Sequence, residues 1–534
     1  MNRAALANRG AWEKAGIALP RYDVADMVRK TKENPIWVHF GAGNIFRGFI
    51  AALQQRLLDE GLADRGIIAA DTFDYEIMSR VYDPFDCLTM NVILNPDATT
   101  SRGIIASVAE GLRADAKDAG QMARLAEIFV NPSLQMASFT ITEKGYALRS
   151  MAGELTPVVA ADMHEGPDSA RHAMSIVAAM MLKRFNAGAY PIALVSMDNC
   201  SQNGERLKSA VLEIARAWME KGYAGADFIA YLEDESRVAF PWSMIDRITP
   251  RPSKAVEDSL INDGIEDMAP IVTSRGTFIA PFVNAERPQY LVVEDHFPNG
   301  RPALEKAGVY MTDRGTVSCT ERMKVTACLN PLHTALAVYG CLLRYTLICE
   351  EMKDEDLVKL VTRLGYAEGL PVVKDPGIIN PRAFIDEVMR ERLPNVFMPD
   401  DPRRIATDTS QKVGIRFGET IKSYAAEGRD LNDLVSIPLA IAGWMRYLLG
   451  VGDDGEPIEI SSDPLKDELM AKLAGIELGK PETYKGQLRG ILANEVIFGS
   501  DLCAIGLADR IEQMFLEEIA GPGAVRAALK KYLA

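Results

Sequence analysis

The sequence is poor in the residues that build metal sites and disulfide frameworks. Its 534 residues include 7 cysteines and 5 histidines. No two cysteines have the CxxC spacing and no HExxH motif occurs, so neither a zinc knuckle nor a catalytic metal site is predicted. Scattered cysteines in an odd number are typical of a reducing compartment. We therefore expect a cytoplasmic protein that works without a metal.

Long apolar runs and an excess of positive charge are also absent. No stretch of about 18 uninterrupted apolar residues occurs, which argues against a membrane span. Residues 1–16 mix charged residues with alanine and lack the apolar segment of a signal peptide. The 59 basic and 74 acidic side chains give a net charge of −15, which disfavours nucleic-acid partners. The expected partner is therefore a small molecule, with neither nucleic acid nor membrane involved.

What the sequence does contain is enough apolar material for two domains. Hydrophobic residues make up 48% and charged residues 25%, an ordinary soluble composition in a chain too long for one core. Over the first 300 residues, short apolar runs alternate with helical patterns, which predicts a parallel sheet with crossover helices. The runs are residues 36–40, 66–70, 136–142, 191–196 and 289–293.

From about residue 320 the pattern becomes helical. Segments with helical periodicity cover residues 333–347, 354–364, 430–449 and 504–519. A Pro- and Asp-rich loop is predicted at 393–408, and the boundary between domains lies where Pro, Gly and charged residues cluster at 295–317. The predicted fold class is thus α/β, with a mostly parallel sheet in an N-terminal domain (1–300) and a mostly α-helical C-terminal domain (301–534).

A glycine turn follows the first apolar run. Gly41 and Gly43 come directly after residues 36–40, and an amphipathic helix continues through Leu58. Strand, glycine turn and helix start together provide the backbone approach and N–H groups that a pyrophosphate needs. Phe46 stands where the usual fingerprint has a third glycine, and an ordinary strand-to-helix turn has the same pattern.

An aspartate ends the second apolar run. A carboxylate at this place accepts hydrogen bonds from the adenosine ribose hydroxyls and repels a 2′-phosphate, so Asp71 favours NAD over NADP. Asp74 is a competing candidate for this role. Either residue is equally compatible with a solvated turn.

The segment 321–333 contains Lys324, Asn330 and His333. By itself this pattern also fits a helix surface with a capping asparagine. Five further motifs occur in a fixed order along the chain, at residues 41–47, 140–146, 196–199, 244–250 and 404–412. With them, the sequence resembles the long-chain mannitol dehydrogenase family from about residue 35 to 500.

The resemblance implies a Rossmann-like N-terminal domain, a mostly α-helical C-terminal domain and a substrate site in the cleft between them. It also implies metal-independent, NAD-dependent interconversion of a sugar-derived secondary alcohol and its ketone. Lys324 matches the family's general base. A desolvated lysine whose pKa falls from about 10.4 toward working pH can take the alcohol proton as hydride leaves the same carbon.

The other site residues follow from the same resemblance. Asn199 and Asn330 match a pair of amides that hydrogen-bond the reacting oxygen. Substrate contacts are implied for His333, Asp246, Arg404 and Lys412; a proton relay for Glu321 and Glu143; and cofactor binding for Gly41, Gly43, Asn44, Arg47 and Asp71.

One departure from the family pattern concerns spacing. The family usually places asparagine five and histidine eight residues after the lysine, whereas Asn330 and His333 stand six and nine residues after Lys324. At about 100° per residue, a regular α-helix would put Lys324 and His333 on opposite faces. Pro331 suits the first turn of a new helix, with Asn330 before it as N-cap. We therefore predict a break or a one-residue bulge between Lys324 and Asn330. The alternative is that Asn330 only caps a helix and that Glu321 and Lys324 form a solvated pair.

Two substrate classes are open within the family, a polyol such as mannitol and an aldonate such as mannonate, whose ketone is fructuronate. A carboxylate substrate needs an uncompensated cation. Four arginines favour the aldonate, and with it fructuronate reductase (D-mannonate oxidoreductase) activity, unless they face water: Arg390, Arg392, Arg403 and Arg404. The alternatives are mannitol 2-dehydrogenase, tagaturonate reductase and, in a different class, an NAD(H)-binding sensor of the same fold without turnover.

Overall fold

A computed structural model describes residues 1–150 and 152–534 of the chain. The first structural unit comprises Met1–Asn95 with Thr99–Ser318, and the second comprises Pro96–Ala98 with Cys319–Ala534. The first unit extends beyond residue 300 because the strand Tyr310–Thr312 pairs with the strand Tyr290–Glu294.

The strands of the described residues all belong to the first unit. In chain order they are β1 (Ile17–Ala18), β2 (Trp37–Phe40), β3 (Ile67–Asp71), β4 (Thr89–Leu94), β5 (Thr100–Ile105), β6 (Val108–Arg113), β7 (Met136–Phe139), β8 (Ile192–Ser196), β9 (Val238–Ala239), β10 (Ser243–Asp246), β11 (Ile271–Val272), β12 (Phe278–Ile279), β13 (Phe282–Glu286), β14 (Tyr290–Glu294) and β15 (Tyr310–Thr312).

The α-helices divide between the two units: those before residue 300 belong to the first unit, the helix Arg314–Met323 spans the end of the first unit and the start of the second, and the later helices belong to the second unit. They are α1 (Arg9–Lys14), α2 (Val24–Glu33), α3 (Ala51–Asp59), α4 (Ala119–Val130), α5 (Thr142–Tyr146), α6 (Pro157–Glu165), α7 (Ala173–Gly188), α8 (Asn203–Glu220), α9 (Ala226–Glu233), α10 (Lys254–Asn262), α11 (Arg314–Met323), α12 (Asn330–Leu342), α13 (Ile348–Glu351), α14 (Glu355–Thr362), α15 (Pro381–Glu387), α16 (Pro402–Ile405), α17 (Glu419–Ala426), α18 (Ser436–Tyr447), α19 (Lys466–Lys472), α20 (Arg489–Leu492), α21 (Glu495–Phe498), α22 (Ala508–Glu518) and α23 (Ala524–Tyr532). Single π-helical turns occur at Phe46–Ile50, Met78–Tyr82, Lys324–Cys328, Arg363–Gly369, Val388–Arg392 and Gly414–Gly418.

The central sheet of the first unit has six strands in the order β6-β3-β2-β7-β8-β9. All its pairings are parallel. The chain runs outward from β2 through β3 to β6, then returns beside β2 and continues through β7 to β9. This order is that of the doubly wound dinucleotide-binding fold, whose ligand site lies where the strand order reverses, between β2 and β7. The prediction of a Rossmann-like domain with a mostly parallel sheet is confirmed.

Four of the five predicted runs lie in this sheet, as β2, β3, β7 and β8. The fifth, residues 289–293, does not. It forms β14, which pairs antiparallel with β10 in a separate three-stranded sheet. An apolar run predicts a buried strand, but its partner is set by tertiary contacts that the run itself does not contain.

Both faces of the central sheet are buried. Because alternate residues of a strand point to opposite faces, Val38 and Phe40 of β2 pack in one hydrophobic core with Phe129, while Trp37 packs in a second core with Phe49. Burial on both faces explains why these strands read as continuous apolar runs rather than as alternating patterns. The sheet therefore holds the loops at its carboxyl edge on a rigid base.

The second unit is helical, as predicted. The four predicted helical segments appear as α12, α14, α18 and α22, and α18 packs against both α12 and α22. Gly443 allows the close approach of α12 and α18, because a Cβ there would lie 2.7 Å from the Tyr339 ring. The predicted loop 393–408 is not entirely irregular, since Asp401 accepts a hydrogen bond from the Arg403 amide and starts the short helix α16.

One helical segment, Arg314–Leu342, is long and apolar enough to cross a membrane by length and composition, with a mean hydropathy of 1.3. In the structure 72% of its apolar window is buried. Residues Leu332 to Leu342 of α12 lie almost entirely in the protein interior. Such burial is typical of the core helix of a folded domain.

Candidate functional site

The glycine turn after β2 requires glycine at its first position. Gly41 has a φ of 101°, and a Cβ there would lie 2.2 Å from the Thr140 carbonyl oxygen. At Gly43, by contrast, no described atom lies within 4 Å of the Cβ position. The helix begins directly afterwards, with the Arg47 amide donating to the Gly43 carbonyl at 3.1 Å. An open backbone at a helix start fits a dinucleotide pyrophosphate.

The polar residues of this turn differ in how accessible they are. Asn44 is partly buried, and its Oδ1 has no hydrogen-bond partner among the described residues. Arg47 is 1% exposed, and burial lowers its pKa to about 10. Its Nε donates to Thr89 Oγ1 at 3.1 Å, and its guanidinium lies 5.9 Å from the Tyr82 ring centre. The structure thus places Arg47 beneath the turn, toward β4, and its contact with a cofactor stays a prediction.

Asp71 is brought to the same turn by its hydrogen bonds. Its carboxylate accepts from the amide of Ala42 at 3.1 Å and from the amides of Phe73 and Asp74 at 2.8 Å each. The side chain is buried, and burial raises the pKa of its carboxyl group. Asp71 therefore joins the end of β3 to the glycine turn, a positioning role that the sequence did not predict.

The competing candidate, Asp74, is also buried. Its Oδ2 accepts a hydrogen bond from Thr273 Oγ1 at 2.5 Å, while its Oδ1 has no partner among the described residues. Asp74 thus connects the loop after β3 to the β11–β12 hairpin. Neither aspartate is a solvated turn residue.

Removing the Asp71 carboxylate is expected to weaken the binding of NADH and NADPH together. Asp71→Ala leaves three backbone amides without their acceptor, at roughly 1.5–3 kcal/mol for each hydrogen bond to a charged group. We expect NADH affinity, measured by fluorescence titration, to fall about 10-fold or more, with Asp71→Asn keeping part of it. Asp74→Ala serves as the matched control. A variant that changes only the NADH-to-NADPH ratio would show that Asp71 acts by cofactor selection and not by shaping the turn.

A second aspartate of the first unit holds two loops together. Asp198, which follows β8, accepts hydrogen bonds from the amides of Ile141 and Thr142 at 2.8 and 3.0 Å and from the Tyr146 hydroxyl at 2.6 Å. These groups follow β7. The predicted site residue Asn199 stands beside Asp198 and is exposed. Sequence reasoning missed Asp198 as the residue that fixes this loop, although its place after a buried strand was a usable signal.

The other predicted residues of the first unit lie on different elements. Glu143 on α5 is exposed and forms an ion pair with Arg206 at 2.7 Å. Asp246 is the last residue of β10 and is buried. The relay role of Glu143 and the substrate contact of Asp246 remain predictions.

In the second unit, the segment after Lys324 is not a regular α-helix. Lys324–Cys328 forms a π-helical turn in which the Leu329 amide donates to the Lys324 carbonyl at 3.1 Å. Leu329 then leaves the helix, with φ −133° and ψ −61°, and α12 begins at Asn330 with Pro331 in its first turn. A π-turn holds one residue more than an α-turn, so it accommodates the extra residue. The predicted bulge is confirmed.

The predicted cap is wrong by one residue. The His333 amide donates to the Leu329 carbonyl at 3.1 Å, so Leu329 is the N-cap and Asn330 the first helical residue. The Asn330 side chain therefore does not cap α12. Lys324 is only 1% exposed, whereas Asn330 is partly buried. A buried lysine also contradicts the alternative of a solvated Glu321–Lys324 pair.

The surroundings of His333 favour the neutral imidazole. Burial, assisted by the charges of Arg416, Arg392 and Arg404, lowers the pKa of His333 to about 4, although Asp400 opposes the shift. Its Nε2 lies 3.6 Å from Asp400 Oδ2 and has no hydrogen-bond partner among the described residues. The ring can therefore exchange hydrogen bonds with a substrate hydroxyl without changing charge.

Two of the four arginines predicted to be spare cations are not spare. Arg404 donates to Asp400 and Arg403 to Asp401, each at 2.6 Å. Sequence spacing alone does not show which carboxylates will neutralise them. Of the other two, Arg390 is exposed and Arg392 is buried.

Lys412 lies near a cation that sequence reasoning missed. Its amine donates to the carbonyls of Ile405 and Thr407, and burial together with the nearby Arg416 charge lowers its pKa. Arg416 stands four residues after Lys412, and its amide donates to the Lys412 carbonyl at 2.9 Å. The four-residue spacing was the available signal, since it places two side chains on one helix face.

No group of three or more His, Cys, Asp or Glu side chains that could hold a metal ion occurs in residues 1–150 and 152–534. Treatment with a chelator, followed by gel filtration, is expected to leave turnover unchanged. Loss of activity that a divalent cation restores would contradict this prediction.

The two units together define a class of protein. The strand order and the open glycine turn are those of a dinucleotide-binding domain, and the helical unit holds the buried Lys324, the predicted general base. These features are those of a nicotinamide-dependent oxidoreductase.

Comparison with known proteins identifies the family within that class. Residues 35–306 match the mannitol dehydrogenase Rossmann domain, and residues 317–517 match the mannitol dehydrogenase C-terminal domain. The chain is 52% identical to the D-mannonate oxidoreductase of Thermotoga maritima over 99% of this chain and 98% of that protein. It is 32% identical to a mannitol 2-dehydrogenase of Pyrenophora tritici-repentis over 82% of this chain and 73% of that protein. The protein belongs to the mannitol dehydrogenase family.

A solved structure agrees with this assignment. The Pseudomonas fluorescens mannitol 2-dehydrogenase, determined as a ternary complex with NAD and D-mannitol, has a TM-score of 0.70 and 26% identity, and 97% of each chain is covered. The likeness extends over both units of the chain.

Proposed function

We propose that this protein is an NAD-dependent D-mannonate oxidoreductase, that is, a fructuronate reductase, with Lys324 as general acid/base. The observation that carries the proposal is the buried Lys324 on its π-turn, in a chain that matches a D-mannonate oxidoreductase over 99% of its length. The proposal includes a cytoplasmic location, as the scattered cysteines indicate.

Lys324 moves one proton in the proposed reaction. The neutral amine takes the proton of the substrate hydroxyl, and in the reductive direction the ammonium returns it to the oxygen. The amide of Asn330 donates a hydrogen bond to this oxygen, which gains negative charge in the transition state. The role of Asn199 as a second donor stays a prediction. Bound NAD would supply the hydride acceptor for the carbon that bears the substrate hydroxyl. Glu321, one helical turn before Lys324, passes the proton toward water.

His333, with a pKa of about 4, orients the substrate as a neutral imidazole. Arg404 and Lys412 are proposed to contact the substrate beside it. Arg404 pairs with Asp400, which also lies 3.6 Å from His333 Nε2. The Lys412 amine donates to the carbonyl of Ile405, the residue after Arg404. Asp246 is proposed to accept a hydrogen bond from a further hydroxyl.

A substrate panel tests this function. NADH oxidation is followed with fructuronate, tagaturonate and fructose, and NAD reduction with mannonate and mannitol. We expect fructuronate and mannonate to give the highest kcat/KM. Faster turnover of mannitol and fructose would make the protein a mannitol 2-dehydrogenase, and tight NADH binding without any turnover would support the sensor alternative. That alternative assumed that the extra residue ruins the site, and the π-turn removes this reason.

A further inference from the structure

Arg416 differs from Arg403 and Arg404 in its partners. Arg403 and Arg404 are neutralised by Asp401 and Asp400. For Arg416, the described residues provide a hydrogen bond to the Thr334 hydroxyl but no ion pair. The residue is partly buried, and burial lowers its pKa to about 10, so the guanidinium remains charged at neutral pH.

Arg416 lies close to the π-turn that carries Lys324. It lies on the π-turn Gly414–Gly418, which packs against both the π-turn Lys324–Cys328 and α12. Thr334, which accepts its hydrogen bond, donates in turn to the Asn330 carbonyl at 3.0 Å. Arg416 is therefore joined through Thr334 to the first turn of α12, which begins at Asn330, and does not lie on a remote surface.

The charge of Arg416 acts on two predicted substrate contacts. Burial has the largest lowering effect on the pKa of His333, and the charge of Arg416 has the next largest. The same two causes, in the same order, lower the pKa of Lys412. Arg416 is joined to Lys412 by a backbone hydrogen bond and to Thr334, the residue after His333, by its side chain. No carboxylate of the described residues pairs with its charge. A partly buried cation without a counterion is unfavourable, and binding an anion removes this disadvantage.

We propose that Arg416 binds the carboxylate of the substrate and thereby selects ketouronates and aldonates over neutral ketoses and polyols. The inference rests on the proposed function, since it assigns a residue to the acid group of that substrate. With one nitrogen held by Thr334, the planar guanidinium keeps further N–H groups for a paired hydrogen bond to a carboxylate. Arg416 is a substrate-binding residue and takes no part in proton transfer.

The test compares Arg416→Gln and Arg416→Lys with Arg403→Gln, which removes an exposed arginine already paired with Asp401. For Arg416→Gln we expect kcat/KM with fructuronate to fall about 10²-fold, mostly through KM, since a charge-assisted pair is lost. Arg416→Lys keeps the charge without the paired geometry and should lose less. NADH affinity and melting temperature should match the wild type, and Arg403→Gln should change nothing.

The outcomes separate this inference from the proposed function. Equal losses with fructuronate and fructose, or a fall in kcat with unchanged KM, would show that Arg416 acts through the fold and would overturn the inference alone. A wild type that reduces fructose but not fructuronate would overturn the proposed function first. If fructose gives no measurable rate, two other results test the inference. The loss in Arg416→Gln should fall on KM and not on kcat, and added guanidinium ion should restore part of its rate with fructuronate.

Discussion

Replacing Lys324 by alanine is expected to lower kcat by about 10²–10⁴-fold while NADH affinity stays within about twofold of the wild type. The reason is that general acid/base catalysis contributes a factor of this size, and removing the amine leaves no group to take the proton. Lys324 is 1% exposed, so bulk water cannot readily substitute for it. Steady-state NADH oxidation gives kcat, and fluorescence titration gives the affinity.

Three variants separate proton transfer from packing. Lys324→Met keeps the apolar stem and should be as inactive as the alanine variant. Lys359→Ala on α14 removes an exposed lysine and should keep full activity. Small primary amines should restore part of the rate of Lys324→Ala, because they replace the missing base. A Lys324→Ala rate within a few-fold of wild type would refute the assignment of Lys324 as the base.

Deleting Thr326 is expected to abolish turnover almost entirely, although it restores the spacing usual in the family. The deletion removes the residue that the π-turn accommodates, and we expect the shortened segment to close into an α-turn that continues through Leu329 to Pro331. In the present structure Pro331 lies in the first turn of α12, where its missing N–H is harmless. In a helix interior the same ring clashes with a carbonyl, at about 3 kcal/mol or more.

A second substitution tests whether Pro331 causes the loss of turnover in the deletion variant. Combining the deletion with Pro331→Ala removes the clash and should raise kcat at least about 10-fold above the deletion alone, whereas Pro331→Ala by itself should have little effect. Circular dichroism and NADH titration check that each variant is folded. If the deletion alone kept wild-type kcat, the π-turn would not be needed to place Lys324 relative to His333.

The elements that could be predicted from the sequence are those determined by residues close together in the chain. Continuous apolar runs predicted β2, β3, β7 and β8, because strands buried on both faces have no polar side to alternate with. The glycine turn was visible because Gly41 adopts a conformation that disfavours other residues. The bulge after Lys324 followed from helix phase and from proline's missing N–H.

Only the tertiary structure shows which partner a charged side chain takes, when several partners are available or when the partner is distant in the chain. The amides of Ala42, Phe73 and Asp74 determine how the Asp71 carboxylate is used. Arg403 and Arg404 take partners close in the chain, Asp401 and Asp400, whereas Arg416 has no carboxylate partner among the described residues and donates to Thr334, 82 residues away. The sequence by itself determined which groups are available and how the local backbone turns. Burial and pairing, which set the charge and direction of each group, depend on long-range packing that no short pattern contains.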